Sequence, residues 1–340
     1  MSKPYRIVFV INEMSRGGST KQQIRENLYK LVENFQKESG HKTAVLFSRN
    51  REHIGKSLST MQNQGFNVFV TYGGDGTIND TIQNLNEGSF LIPIPAGNAN
   101  DMAARLQLRN TRDTILAFTD TLAILDDLIN RRINIIGLDV GEIFFTDSAG
   151  KSLKKRFINN LGIGVTADTV KRIDGMVKKN YALAGLATIL GANPFPAHYS
   201  TLMMDQEVHL DCLGIEALLC RKVGNYAYMA PYKRENNETL HFFVVNNMSF
   251  WHRLLFVILI KFGTPGTLFG MGDYFHDRKE SFRDQNLSMA VEGISSVNLR
   301  FERKHSMHVD GNIVPAFEEI VQEKCSIRIL PKFIKTIAPC

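Results

Sequence analysis

Apolar positions along residues 5–95 fall into two interleaved rhythms. Short continuous runs, YRIVFVI at 5–11, TAVLFS at 43–48, NVFVTY at 67–72 and FLIPIP at 90–95, have the texture of buried strands. Between them apolar residues recur every three to four positions: Ile24, Leu28, Leu31, Val32 and Phe35, then Ile54, Leu58 and Met61 closed by Gly65, then Ile78, Ile82 and Leu85 closed by Gly88. That spacing puts each set on one face of a helix, and a glycine just past the last apolar position is a usual stop. The resulting strand-helix alternation predicts a parallel sheet wrapped by helices, and the unbroken apolar strands suit a sheet covered on both faces. Ligands of such sheets bind at the carboxyl ends of the strands.

After a helical stretch over 113–130 the texture changes. Strand-like runs follow at INIIGLDV, RFINNLGIGV, LHFFVV, SVNLRF and SIRILP, interrupted mainly by helical patterns at 181–190 and 251–262. Clustered strands without regular helices predict a β-rich second domain beginning near Arg132. A chain of 340 residues is long enough for two domains.

Composition narrows the class. With 44% apolar residues and one Trp the chain has the make-up of a globular protein, and its start lacks the basic, long apolar signature of a signal peptide, so it is expected to stay inside the cell. The longest apolar run, 254–260, is far short of a membrane span. Cys212, Cys220, Cys325 and Cys340 show no CxxC spacing, which argues against zinc and thiol-redox chemistry and for buried reduced thiols. The net charge of +6 is mild, but basic residues gather at Lys151 to Arg156, at Lys171 to Lys179 and at Lys233-Arg234, where they attract phosphates of a nucleotide, a nucleic acid or an anionic lipid. No nucleic-acid motif accompanies them. The 251–262 segment is apolar in its middle and basic at both ends, which fits an interfacial helix as well as a core helix.

The chemistry is concentrated in Gly73-Gly74-Asp75-Gly76-Thr77-Ile78-Asn79-Asp80, between a strand and a helix. Glycines bring bare N–H groups against a ligand, and Thr77 is placed to cap a helix whose N-terminus favours anions: a phosphate cradle. A carboxylate inside it, Asp75, implies a bridging Mg²⁺. A tight Gly-Asp-Gly turn with no ligand is the bland alternative. Pro95-Ala96-Gly97-Asn98-Ala99-Asn100-Asp101 occupies the equivalent place after the next strand, and Asn12-Glu13-Met14-Ser15-Arg16-Gly17-Gly18 ends the first. Gly55-Lys56-Ser57 and Gly150-Lys151-Ser152 lack the upstream glycine of a Walker A loop, and there is neither a helix-opening GxGxxG nor a GxSxG.

GGDGTIND followed by AGNAND resembles the paired GGDGT(I/L)NE and GTxND signatures of the diacylglycerol kinase catalytic family, which also embraces sphingosine and ceramide kinases. NEMSRGG is similar to its NPxSGxG loop, FINNLGIGVTAD to its FxNxxxxGxxA segment, Lys179 to Leu186 to its lysine-tyrosine-leucine-rich helix, and His308-Val309-Asp310-Gly311-Asn312 to its DGE motif. The resemblance implies a three-layer α/β nucleotide domain like that of phosphofructokinases and NAD kinases over 1–131, a β-sandwich-like lipid domain over 132–311, and a return of 312–340 to the first. It implies ATP and Mg²⁺ as cofactors and a lipid hydroxyl as acceptor at a membrane surface, with peripheral membrane contact, no nucleic acid, and a homodimer as one assembly. ATP is then expected against Asn12, Ser15, Arg16, Ser48, Gly73, Gly74, Asp75, Gly76, Thr77, Asn79, Asp80, Gly97 and Asn98. The substrate is expected against Asn100 and Asp101, catalysis at Asp75, Asp310 and Asn312, and metal at Asp75, Glu235 and Glu238.

The chain departs from the pattern at four places. Asn98 stands for the Thr of GTxND, Asp80 for the last Glu of GGDGTINE, Asn312 for the Glu of DGE, and Glu235-Asn236-Asn237-Glu238-Thr239-Leu240-His241 for an acidic DDGLLDV stretch that holds a structural magnesium in bacterial members. An amide at 312 cannot take a proton from a hydroxyl, and Asp310 beside it is either a substitute base or an acid in a tight turn. Two other functions therefore stay open: a nucleotide- or lipid-binding protein without catalysis, and an NAD kinase, which shares GGDGT.

Overall fold

The computed structural model describes residues 5–12, 21–48, 51–97, 100–108, 114–147, 149–176, 181–201, 207–220, 222–223, 227–228, 237–262, 288–318 and 324–338. The chain divides into two compact units, Met1–Val140 with Pro331–Cys340, and Gly141–Leu330. Both crossings fall within strands, later than the boundary at 131 read from texture and the one at 311 taken from the resemblance, because single strands run through them.

The first unit is built from β1 (Arg6–Ile11), α1 (Lys21–Ser39), β2 (Lys42–Phe47), α2 (Arg51–Asn63), β3 (Val68–Gly73), α3 (Asp75–Ile82), β4 (Phe90–Pro95), α4 (Asp101–Arg105), α5 (Thr114–Ile129) and the start of β5 (Ile135–Thr146). The strands lie in the order β4-β3-β1-β2, all parallel, with Ile7 opposite Thr43 and Val68, and Val68 opposite Phe90. Successive side chains of a strand face opposite ways. One set, including Phe9, Ile11, Val70, Tyr72 and Ile92, packs with Leu28, Val32 and Phe35 of α1 and Phe118, Leu125 and Leu128 of α5. The alternate set, Val8, Val10, Phe69 and Leu91, is as deeply buried, and so are Ile54 and Leu58 of α2 and Ile78 and Ile82 of α3. Three layers follow, with each fully buried Leu, Ile or Phe contributing ~1.5–3 kcal/mol. The carboxyl ends of β1, β3 and β4 thereby come to one edge.

The second unit continues with β6 (Ser152–Phe157), β7 (Asn160–Gly164), α6 (Val165–Asp174), α7 (Tyr181–Gly191), β8 (Phe195–Thr201), β9 (Val208–Leu218), β10 (Lys222–Val223), β11 (Ala227–Tyr228), β12 (Leu240–Asn246), α8 (Phe250–Phe262), β13 (Ser288–Ile294), β14 (Ser296–Phe301), β15 (Met307–Val309), β16 (Asn312–Ile313), α9 (Pro315–Glu318) and β17 (Lys324–Ile337). Its strands run in the order β16-β15-β7-β9-β8-β14-β17, with β12 also on β9 and β13 on β12. Phe242 and Val244 of β12 enter one apolar core with residues of β5, β7, β8, β9, β14, β15 and β17, while Phe243 and Val245 face Phe256 of α8 and Ile189 of α7. A β-rich body with helices against one face results.

Three readings change at this level. RFINNLGIGV is two strands, β6 and β7, broken at Ile158-Asn159. The basic run 151–156 is partly engaged: Arg156 and Lys154 lie 3.2 and 3.5 Å from Glu142, itself 1% exposed and also held by Arg328 at 2.7 Å. Burial alone pushes the Glu142 carboxyl up, but hydrogen bonds from Arg328 and Arg156, with Lys154 adding charge, outweigh it and hold the carboxyl below the usual range. Arg253, counted among the basic flank of an interfacial helix, donates instead to the carbonyls of Ile189, Leu190 and Ala192 at the end of α7. Among the described residues no helix is long and apolar enough to cross a membrane.

Candidate functional site

Two loops carry the site in the first unit, and they touch backbone to backbone. β3 ends at Gly73, Gly74 is the N-cap of α3, and Asp75 opens that helix. β4 ends at Pro95, and the Ala96 N–H donates to the Gly73 carbonyl at 3.0 Å, carrying the parallel pairing past both strand ends. A Cβ on Gly97 would lie 2.4 Å from the Gly74 Cα, and one on Gly74 would lie 3.0 Å from the Gly97 Cα. A side chain at 97 is excluded and one at 74 would be tight, and the glycine pair leaves a side-chain-free surface beside the α3 N-terminus, where the helix dipole favours an anion.

The surrounding side chains hold the loops in place. Asn12, at the end of β1, donates its Nδ2 to Thr77 Oγ1 at 3.0 Å, and the Asn12 N–H donates to the Tyr72 carbonyl at 2.9 Å. Thr77 is thus in the first turn of α3, and the helix cap expected of it is supplied by Gly74 without a side-chain bond. Asn79 is buried, its Oδ1 accepting from Gln83 at 3.2 Å, and Asp80 and Gly76 are half-buried in the same helix. Asp75 Oδ1 lies 3.5 Å from the Met102 N–H of α4, bringing the one acid of the cradle to the second loop. Ser48, after β2, donates its N–H to the Ile11 carbonyl at 2.8 Å.

Asn100, expected to touch substrate, is turned inward. It is 2% exposed with φ +53°, its Oδ1 accepts from Gly97 N at 2.8 Å and its Nδ2 donates to the Gly97 carbonyl at 2.9 Å. Both ends of the amide are spent on shaping the loop. Asp101 follows as the first residue of α4, half-buried. Ser15, Arg16, Asn98 and Glu235 lie outside the described residues.

Residues 6–130 match the family model of the diacylglycerol kinase catalytic domain. No curated protein matches the chain. Among solved structures, a putative diacylglycerol kinase from Bacillus anthracis str. Sterne superposes with a TM-score of 0.65 at 17% identity, covering 99% of this chain and 98% of that one. A second structure from that organism, titled as a diacylglycerol kinase, gives 0.62 at 15%, with coverage of 99% and 98%. Yeast NADH kinase complexed with NADH gives 0.54 at 9%, with coverage of 99% and 84%. At these identities the likeness is one of fold, and the fold is that of diacylglycerol kinases and NAD kinases, an α/β body with a β-rich one.

The DGE-like motif lies in the second unit, in the hairpin of β15 and β16. Val309 pairs with Asn312, so Asp310 and Gly311 form a two-residue loop, with φ +46° and +74°. Positive φ at both positions is what a type I′ hairpin turn requires, and Asp-Gly suits it. The Asp310 carboxylate is buried and accepts three backbone N–H groups, from Ile158 at 3.0 Å, Asn159 at 2.9 Å and Asn160 at 3.0 Å. These bonds occupy both oxygens and account for the break between β6 and β7. A carboxylate so engaged holds the turn, which fits the second of the two roles read for it, an acid in a tight turn. Asn312 is half-buried, its Nδ2 only 3.4 and 3.5 Å from the carbonyls of Asp310 and Val309.

Sequence reasoning missed Glu216 of β9, and it gave no role to His308 of β15 and Asn160 of β7, quoted only within motifs; all three are buried near this turn. Asn160 Nδ2 donates to Glu216 Oε2 at 3.0 Å. His305, leading into β15, lies with its ring centroid 4.0 Å from that of Phe195, tilted by 34°, and burial, with Arg303 adding to it, pushes its pKa down to about 4. Glu238 is exposed in a left-handed turn before β12. Among the described residues, no three His, Cys, Asp or Glu are grouped to hold a metal ion.

Proposed function

We propose that the protein is an ATP-dependent lipid kinase that transfers the γ-phosphoryl group to a lipid hydroxyl, with diacylglycerol as the first acceptor to test. The observation that carries the reading is the pair of abutting glycine loops, Gly74 against Gly97, at the carboxyl ends of adjacent strands inside the segment that matches the kinase family. The cradle fits a nucleotide: its surface has no side chain to displace, and its amides and helix end favour phosphate. It fits Mg²⁺ only together with that nucleotide, since Asp75 supplies one carboxylate and Mg²⁺ is commonly held by one or two carboxylates plus substrate phosphates. The ion would neutralise charge on the phosphates when bound. Asn12, Thr77 and Asn100 keep the loops apart from collapse or drift, and Asp80 and Asn79 lie one helical turn behind.

The resemblance assigns acceptor chemistry to the DGE-like motif, where this chain has Asn312, whose amide can orient a hydroxyl but not deprotonate it. Phosphoryl transfer depends mainly on positioning and charge neutralisation, so a slow kinase is compatible with an amide there. Phe250 and Trp251, 54% and 74% exposed and in edge-to-face contact at the start of α8, support a peripheral contact with a lipid surface on the inner side of the cell. The clamped Asp310 favours a second reading, a family member that binds nucleotide and lipid without turning them over.

One assay separates the two. Purified protein is incubated with labelled ATP, Mg²⁺ and mixed micelles of diacylglycerol or sphingoid bases, beside Asp75→Ala and Asn312→Glu. Lipid product that is lost in Asp75→Ala, and rises ~10²- to 10⁴-fold when a base is installed in Asn312→Glu, supports the kinase. ATP binding with no lipid product from any form supports the second reading, and product from NAD in place of lipid replaces both.

A further inference from the structure

Three residues in register across three strands form an unusual row. His308 of β15 is paired with Gly162 of β7, and Gly162 with Glu216 of β9. Backbones two strands apart are ~10 Å from one another, so a side chain on the middle strand would ordinarily separate the outer two. Here a Cβ on Gly162 would lie 2.2 Å from Glu216 Oε1, 2.4 Å from His308 Nε2 and 2.4 Å from Thr166 Oγ1. The glycine is what lets a carboxylate and an imidazole, 0% and 2% exposed as side chains, reach within 3.5 Å of each other across the row.

The other side of the imidazole faces the turn. His308 Nδ1 accepts the Gly311 N–H at 3.3 Å, so the ring proton belongs on Nε2, the atom facing Glu216 Oε1. That oxygen has no hydrogen-bond partner, its approach to His308 being a charge contact at 3.5 Å, while its twin is held by Asn160. A buried carboxylate costs several kcal/mol unless paired, so its retention in the middle of an apolar strand calls for a task. The task visible in the structure is tautomer control: a carboxylate acceptor beside Nε2 keeps the proton there, and a lone pair on Nδ1 is then free to hold the turn.

We propose that Glu216 and His308 are a positioning pair for the Asp310-Gly311-Asn312 turn, with Glu216 fixing the His308 tautomer and His308 fixing the Gly311 amide and hence the place of the Asn312 side chain. The inference rests on the kinase reading only in giving Asn312 an acceptor to orient. The pair touches no reacting atom. It acts through the turn, alongside the Asp310 clamp that ties the same turn to the β6–β7 junction.

Glu216→Gln is the decisive variant. Its oxygen can keep the Asn160 bond, which turns its NH₂ toward His308 Nε2; the imidazole must then carry its proton on Nδ1, opposite the Gly311 N–H. Nitrogen NMR of ¹⁵N-histidine-labelled protein, with the His308 signal assigned by its loss in His308→Asn, reads the tautomer directly. The expected result is a proton on Nε2 in the parent and on Nδ1 in Glu216→Gln, with faster hydrogen exchange at Gly311. In the lipid kinase assay kcat is expected to fall ~10- to 100-fold at unchanged KM for ATP, since a misplacement of about 1 Å can cost 10²-fold. His308→Asn, which keeps a side-chain acceptor near the Nδ1 position, should restore most of that loss in the Glu216→Gln background. A parent imidazole protonated on Nδ1 overturns the proposal even if no variant folds, and a reversed tautomer with unchanged kcat reduces the pair to packing and overturns its positioning role. If the parent phosphorylates no lipid, the kinase reading fails by itself, and the tautomer and Gly311 exchange still decide whether the pair holds the turn.

Discussion

Replacing Asp310 by Asn tests the clamp against the general base in one substitution. Asn tolerates left-handed backbone, so the turn with φ +46° at 310 is not itself the obstacle. The amide oxygen can keep the two bonds now made to Oδ1, from Asn159 and Asn160, but at the strength of a neutral acceptor. The new NH₂ faces the Ile158 N–H, donor against donor, where Oδ2 now accepts at 3.0 Å. A hydrogen bond to a charged acceptor contributes ~1.5–3 kcal/mol and a neutral one ~0.5–1.5, so one lost bond and two weakened ones cost about 3–5 kcal/mol. For a body of this size each kcal/mol moves the melting midpoint by ~2–4 °C, which puts the expected drop at roughly 10 °C. Differential scanning calorimetry at pH 7 measures it, and hydrogen exchange at amides 158–160 locates it. A general base would behave in the opposite way, with little change in stability and ~10²- to 10⁴-fold less turnover. A melting midpoint within about 2 °C of the parent refutes the clamp, whatever happens to activity.

Two further predictions concern other parts of the molecule. Gly97→Ala places a methyl group 2.4 Å from the Gly74 Cα, where only backbone can yield; a loss of about 1–3 kcal/mol is expected, together with loss of the melting-temperature rise that ATP gives the parent, and an undiminished ATP shift would show that the two loops need not touch. His305 has a folded pKa of about 4 against an ordinary 6.5, so as pH falls from 6.5 toward 4 the unfolded chain takes up a proton that the folded chain refuses, and stability declines by on the order of 3 kcal/mol over that window. Denaturant titrations at pH 7, 5.5 and 4.5 should show the decline and its disappearance in His305→Leu; an equal slope in the variant would assign it elsewhere.

The first unit was legible in the sequence because its signals are local. Leu28, Val32 and Phe35 repeat at helical spacing and pack on one core, and the glycines after β3 and β4 sit where a parallel sheet places ligands. What could not be read was which polar groups are spent on one another. Asn100 looks like a ligand contact in AGNAND and is consumed by Gly97. RFINNLGIGV looks like one strand because the carboxylate that breaks it is 152 positions away. β9 was passed over because Asp211 and Glu216 interrupt its apolar run, and Glu216 is tolerated there only through Asn160 and His308 from two other strands. Arg253 looks like the basic rim of a surface helix and instead closes the end of α7. In each case the deciding partner is remote in sequence, and periodicity carries no information about it.

The division of the chain also sets an order of assembly. The residues that flank β4 opposite β3 are at the far end of β17: Lys335 donates to the Ser89 carbonyl at 2.8 Å, Gly88 to the Phe333 carbonyl at 2.8 Å, and Thr336 Oγ1 to the Leu91 carbonyl at 2.7 Å. A ribosome delivers these residues only after all of Gly141–Leu330 has emerged. Throughout that interval the first unit has an open sheet margin of buried, strongly apolar sequence, FLIPIP, with hydrogen-bonding groups unmatched. The nascent protein is therefore prone to pair with other chains until Pro331–Cys340 emerges, and a ribosome stalled shortly before residue 331 would leave this strand uncovered.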